Sequence, residues 1–120
     1  MILPIRDRHT FVALRMNGTR VRRGPLSLVF LEDGSGGPPR VAYAMTKRVG
    51  SAVVRNRLRR RIRAICLDLV RSAPGAVPSG ALLISAGPEA VRRNPEELRN
   101  DVVRLLDALE ARRSPVPEDR

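Results

Sequence analysis

The chain has little from which to build a metal or disulfide site. Cys66 is its only cysteine and His9 its only histidine, which excludes an internal disulfide and a cysteine-based zinc site. A catalytic histidine needs a nucleophile to activate, and none accompanies His9, which reads as an exposed residue at a helix start. No apolar run approaches the ~18 residues of a membrane span. The opening segment MILPIRDRHTF lacks the extended apolar stretch and small-residue cleavage site of a secretory signal, so the expected location is the cytoplasm. Acidic residues are also scarce: 12 stand against 23 basic ones, a formal net charge of +11 over 120 residues. That length suits a single domain with its own core, expected over residues 1–112 with a disordered tail at 113–120. The charge favours a phosphate-bearing partner.

The positive charge is concentrated. KRVGSAVVRNRLRRRIR, Lys47 to Arg63, holds eight cations and no acid, with seven arginines to one lysine. In an isolated helix such neighbours repel one another. Guanidinium forks match phosphate oxygens in pairs and stack on bases, so nucleic acid is the expected partner. At ~100° per residue, Val54, Leu58, Ile62, Ile65, Cys66 and Leu69 share a sector about 120° wide. Arg55, Arg59 and Arg63 form a ridge beside that stripe, and Arg57 and Arg60 project farther away. The apolar side would bind the helix to the domain while the other side presents arginine. Cys66, on the apolar side, is expected in the core.

Around this segment the pattern predicts a helix over Arg8 to Asn17, with Phe11, Leu14 and Val12 inward and Gly18 at the C′ position. A strand follows at Pro25 to Leu31, where Leu26, Leu28 and Phe30 alternate with Ser27 and Val29. After DGSGGPP comes a second strand, Arg40 to Thr46, and the pair is expected to form an antiparallel hairpin. The basic helix ends at Ser72 to Gly75. ALLIS, Ala81 to Ser85, reads as a buried strand. A last helix opens at Asn94 with Pro95 in its first turn and Glu97 completing a capping box; Leu98, Val102, Leu105, Leu106 and Leu109 face inward. The expected class is α+β, with the helices on one face of a small sheet.

Lys47 to Arg63, centred on Arg55-Asn56-Arg57, resembles the signature segment of the bacterial ribonuclease P protein subunit. Phe11 followed by Gly18 ahead of a hairpin, VAYAMTKRVG before the basic helix and ALLISA after it occur in that family's order, and the likeness runs to about Leu109. It implies a small αβββαβα sandwich, shared with a ribosomal protein domain and an elongation-factor domain, with a left-handed βαβ crossover around the basic helix. A further short strand near Thr19 to Arg22 is implied too, which the periodicity does not reveal. The resemblance also implies a ribonucleoprotein endonuclease that removes the 5′ leader from precursor tRNA. There the RNA subunit is catalytic, Mg²⁺ acts through RNA and substrate, and the protein assists by binding both. The RNA-contacting residues would be Lys47, Arg48, Arg55, Asn56, Arg57, Arg59, Arg60 and Arg63. Asn56 could bind RNA or fix the turn of the motif. Phe11 and Arg15 would line the leader cleft between the first helix and the sheet, with core membership as the other reading of Phe11.

Some positions depart from the family pattern. Arg15 and Val29 stand where further cleft aromatics are common, so leader binding would rely on charge more than stacking. Ser51 replaces the usual Asn after Gly50, and Pro4-Ile5 replaces an Arg-Leu pair. No carboxylate cluster suited to two-metal hydrolysis stands out: Glu32 and Asp33 border the Gly-Pro loop, and Glu96, Glu97 and Asp101 suit a helix N-terminus. No catalytic or metal-binding residue is therefore expected in this chain, nor protein oligomerisation. The rival readings are a ribosomal-type rRNA-binding protein and, from another class, a DNA-binding regulator, although no helix-turn-helix spacing stands out.

Overall fold

Ala81–Ala86 is apolar on both faces and forms the middle strand of a five-stranded sheet. In a computed structural model that describes residues 1–34 and 36–113, the elements in chain order are β1 (Leu3–Pro4), α1 (Arg8–Asn17), β2 (Thr19–Arg23), β3 (Leu26–Leu31), β4 (Arg40–Met45), α2 (Ala52–Ser72), β5 (Ala81–Ala86) and α3 (Pro95–Arg113). Short 3-10 turns at Lys47–Val49 and Pro88–Arg92 lead toward α2 and α3. The strand order is β1-β4-β5-β3-β2. The tail expected from Ser114 to Arg120 lies outside the described residues.

The expected β3–β4 hairpin is not what forms. β5 lies between these strands, antiparallel to β3 with Leu28 opposite Ile84, and parallel to β4 with Tyr43 opposite Ile84. Ala81, Leu82, Ile84 and Ala86 are all buried, and a strand apolar on both faces gains most at the centre of a sheet. The chain length between Leu31 and Arg40 is ample to pass the displaced neighbour, since two strand spacings come to roughly 10 Å. The hairpin joins β2 and β3 instead, with Thr19 opposite Phe30 and Arg23 opposite Leu26. Gly24 turns it at φ 57°, a conformation that L side chains rarely adopt.

The helices occupy both faces, not one as expected. α2 and α3 cover the face carrying Leu28, Phe30, Val41, Met45, Leu82 and Ile84. α1 covers the other face, where Leu14 packs with Ile5, Val29 and Ala81. Strand alternation explains the split, because Val29 and Ala81 point away from Leu28 and Leu82. On α1, Leu14 is fully buried but Val12 is 46% exposed, so Val12 belongs to the outer side. Gly18 is not a left-handed cap either: it is extended, at φ −74° and ψ 154°. It is glycine because a Cβ there would lie 2.4 Å from Val29 Cγ1 and 2.5 Å from the Leu14 carbonyl oxygen.

The last helix follows the sequence reading. The Asn94 N–H donates to Glu97 Oε1 at 2.9 Å, and the Glu97 N–H donates to Asn94 Oδ1 at 2.8 Å, a reciprocal box. Leu98, Val102, Leu105, Leu106 and Leu109 are buried.

Candidate nucleic-acid interface

The approach to α2 is shaped by backbone chemistry. β4 ends at Met45, Lys47–Val49 makes one 3-10 turn, and Gly50 sits at φ 147° before Ser51 caps the helix. The Ser51 hydroxyl accepts the Val54 N–H at 3.3 Å. Serine and asparagine are comparable N-caps, so the departure at this position preserves the helix start. Val49 is buried and pins the turn, leaving Lys47 and Arg48 exposed.

Burial of Leu58, Ile62, Cys66 and Leu69 fixes the rotation of α2, and the arginine directions follow from it. Val54 and Ile65 pack at the margin of the same core. Arg57, Arg60 and Arg63 are exposed, whereas Arg55 and Arg59 are half-buried beside the stripe. Arg59 donates to Asn56 Oδ1 at 2.6 Å. Asn56 therefore lies inside the helix, orienting a neighbouring guanidinium, and fixes no turn. Arg61 has a different task, donating to the Arg93 carbonyl at 2.5 Å and tying α2 to the segment before α3. Among the described residues none of the seven cations Lys47, Arg48, Arg55, Arg57, Arg59, Arg60 and Arg63 forms an ion pair. The one acid of α2, Asp68, is paired with Arg99 at 2.7 Å near the far end.

The second surface lies on the α1 side of the sheet. Phe11 is half-buried against the Ile5, Leu14, Val29 and Ala81 cluster, so part of its ring belongs to the core. Arg15, one turn later, is exposed. Sheet register adds residues that sequence reasoning missed: Arg20 lies opposite Val29 and Arg22 opposite Ser27, on the face that also carries Leu83 and Ser85. Arg20, Arg22, Arg23 and Arg112 border a cleft of about 620 Å³. The signal was present in TRVRR, a charged alternation around one inward valine typical of an edge strand. Arg112 comes from 92 positions later, donating to the Arg20 carbonyl at 3.0 Å, and no local pattern could supply it.

The carboxylates serve the scaffold. Asp7 caps α1 by accepting from the Thr10 N–H at 2.9 Å and hydroxyl at 2.6 Å, and these bonds, with Arg40 as a lesser cause, hold its carboxyl below the usual range. Asp33 meets Arg40 at 3.2 Å, and Asp101 meets Arg93 at 3.1 Å. Among the described residues no three His, Cys, Asp or Glu side chains group as metal ligands, and no helix is long and apolar enough to cross a membrane.

These features define a class: small α+β proteins in which an arginine-rich helix bridges two parallel neighbouring strands. The model of the Ribonuclease P family matches residues 3–110. The chain is 35% identical to the ribonuclease P protein component of a Nocardioides species, covering 85% of this chain and 86% of that one. It is 34% identical to that of Brucella melitensis biotype 1, covering 94% and 84%. Two solved structures share the fold: the Staphylococcus aureus RNase P protein at TM-score 0.77, 18% identity and coverage of 89% and 94%, and the Thermotoga maritima protein at TM-score 0.73, 21% identity and coverage of 88% and 96%. The chain belongs to the ribonuclease P protein family.

Proposed function

We propose that this chain is the RNA-binding protein subunit of ribonuclease P, working in the cytoplasm to help a catalytic RNA remove the 5′ leader of precursor tRNA. The observation that carries this reading is the set of seven cations on α2 and its approach turn, held without acidic partners among the described residues. Like charges kept together at a cost in helix stability are explained by a polyanion that neutralises them. Lys47, Arg48, Arg55, Arg57, Arg59, Arg60 and Arg63 bind the RNA subunit, with Asn56 setting the direction of Arg59. The leader lies along the α1 side of the sheet, where Phe11 offers a partial stacking surface and Arg15, Arg20 and Arg22 meet phosphates. Bond cleavage belongs to Mg²⁺ held by RNA and substrate. The protein lowers phosphate repulsion there and so raises apparent metal affinity.

The test is precursor tRNA cleavage at low Mg²⁺ by a bacterial ribonuclease P RNA, with and without this protein and with an Arg57→Ala/Arg60→Ala double variant. Both arginines are exposed, so the variant keeps the core. The expected result is 5′ processing that needs both RNA and protein, and that fails with the variant at limiting concentration. Tight RNA binding without any gain in cleavage would favour the ribosomal-type alternative. Cleavage by protein alone would overturn the assignment of catalysis to RNA.

A further inference from the structure

The arginine ridge of α2 faces a feature that the RNA-binding reading does not use. Between α2 and the first residues of the chain is a cleft of about 410 Å³ whose walls include Pro4, Arg6, Tyr43, Arg59 and Arg63. That volume lies within the range of small-ligand sites, roughly 300–1,000 Å³. β1 stops at Pro4 opposite Val41, so among the described residues β4 has no strand neighbour on that side beyond this point, and the cleft opens over its edge. One wall is apolar: Ile2 and Tyr43 are partly buried against the main core there. The other carries the guanidinium groups of Arg6, Arg59 and Arg63. Among the described residues no carboxylate lines the cleft. The nearest in sequence, Asp7, is engaged by Thr10 and Arg40 at the start of α1.

An apolar floor with one aromatic edge, beneath three guanidinium groups, suits a base joined to a phosphate. We propose that this cleft is a nucleotide-binding subsite, receiving one unpaired nucleotide of the bound RNA with its base against Pro4 and the Tyr43 ring and its phosphate on Arg6 and Arg63. The proposal rests on the RNA-binding reading and extends that interface from α2 to the N-terminal strand. Arg6 becomes a binding residue although it lies far outside the Lys47 to Arg63 segment in sequence.

Tyr43 is the only tyrosine, so 3-fluorotyrosine labelling gives one ¹⁹F resonance that reports this wall alone. The expected result is a saturable shift of that resonance on adding an unstructured RNA octanucleotide. Arg6→Glu should also weaken binding to a bacterial ribonuclease P RNA about tenfold, well beyond Arg8→Glu, which makes the same charge change at an exposed residue outside the cleft. An unmoved resonance with octanucleotide bound, or equal losses from the two variants, would overturn the subsite while leaving α2 as the RNA interface. Absence of RNA binding by the unaltered protein would overturn the functional reading itself. Because Arg6 is exposed, its replacement leaves folding intact, and a matching thermal midpoint for the two variants verifies this.

Discussion

At the scale of single residues, burial makes several side chains sensitive in ways their identities do not announce. Gly18 is the sharpest case, since a methyl group would collide with Val29 and with the carbonyl of Leu14. Gly18→Ala is expected to lower stability by about 1–3 kcal/mol, the usual range for overpacking, measured by urea denaturation. Burial also pushes the Cys66 thiol up to about 11 from 9.0, with the nearby Tyr43 hydroxyl opposing the shift. The folded chain therefore holds this proton more tightly than the unfolded chain does. Stability from this group is fully present below pH 9 and is lost as pH rises toward 11, at roughly 1.4 kcal/mol per pH unit. Cys66→Ala should flatten that alkaline loss in denaturation profiles taken across the window. Tyr43 is raised as well, chiefly by burial, so some alkaline sensitivity should survive in the variant.

Elements owe their ends to short-range chemistry, and here the sequence was highly informative. The Asn94–Glu97 box and the Leu98-to-Leu109 stripe could be read directly because a cap and its partner are three residues apart and a helical face repeats every three or four. Asn94→Ala is expected to cost about 1 kcal/mol, seen as a lower thermal midpoint. Ser51→Asn should be nearly neutral by the same measure, since either side chain can cap α2. β2 escaped the periodicity reading because only Val21 of its five residues is buried, too little alternation to separate a strand from a charged loop. The pattern over Arg8 to Asn17 located α1, yet it assigned Val12 to the inner side. Leu14 and half-buried Phe11 supply enough apolar surface for a helix that covers only part of one sheet face.

For the whole molecule, charge and connection decide behaviour. Seven cations on α2 and its approach turn, none of them in an ion pair among the described residues, should give RNA binding a strong salt dependence, with each neutralised phosphate adding roughly 0.7–0.9 to the log–log slope. The Arg57→Ala/Arg60→Ala variant is expected to lower that slope by roughly 1.4–1.8, measured by filter binding across a salt series. Asp101 connects distant parts: it is 8% exposed, pairs with Arg93 at 3.1 Å, and packs beside the Gly24 turn. The Arg93 backbone in turn accepts from Arg61 of α2. Since the Arg93 side chain is 36% exposed, water offsets part of the loss, and Asp101→Ala should cost about 1–2 kcal/mol rather than the ~3–5 of a fully buried pair. By itself the sequence determined the two-sided basic helix, the capped final helix and the likeness to the ribonuclease P protein family, because spacing and composition are local properties of a chain. Only the tertiary structure decided that β5 separates β3 from β4, that α1 lies opposite the other helices, and that Arg6 and Tyr43 meet Arg63 across one cleft. Those outcomes depend on which apolar faces compete for the middle of the sheet, a competition among segments far apart in sequence that no window along the chain contains.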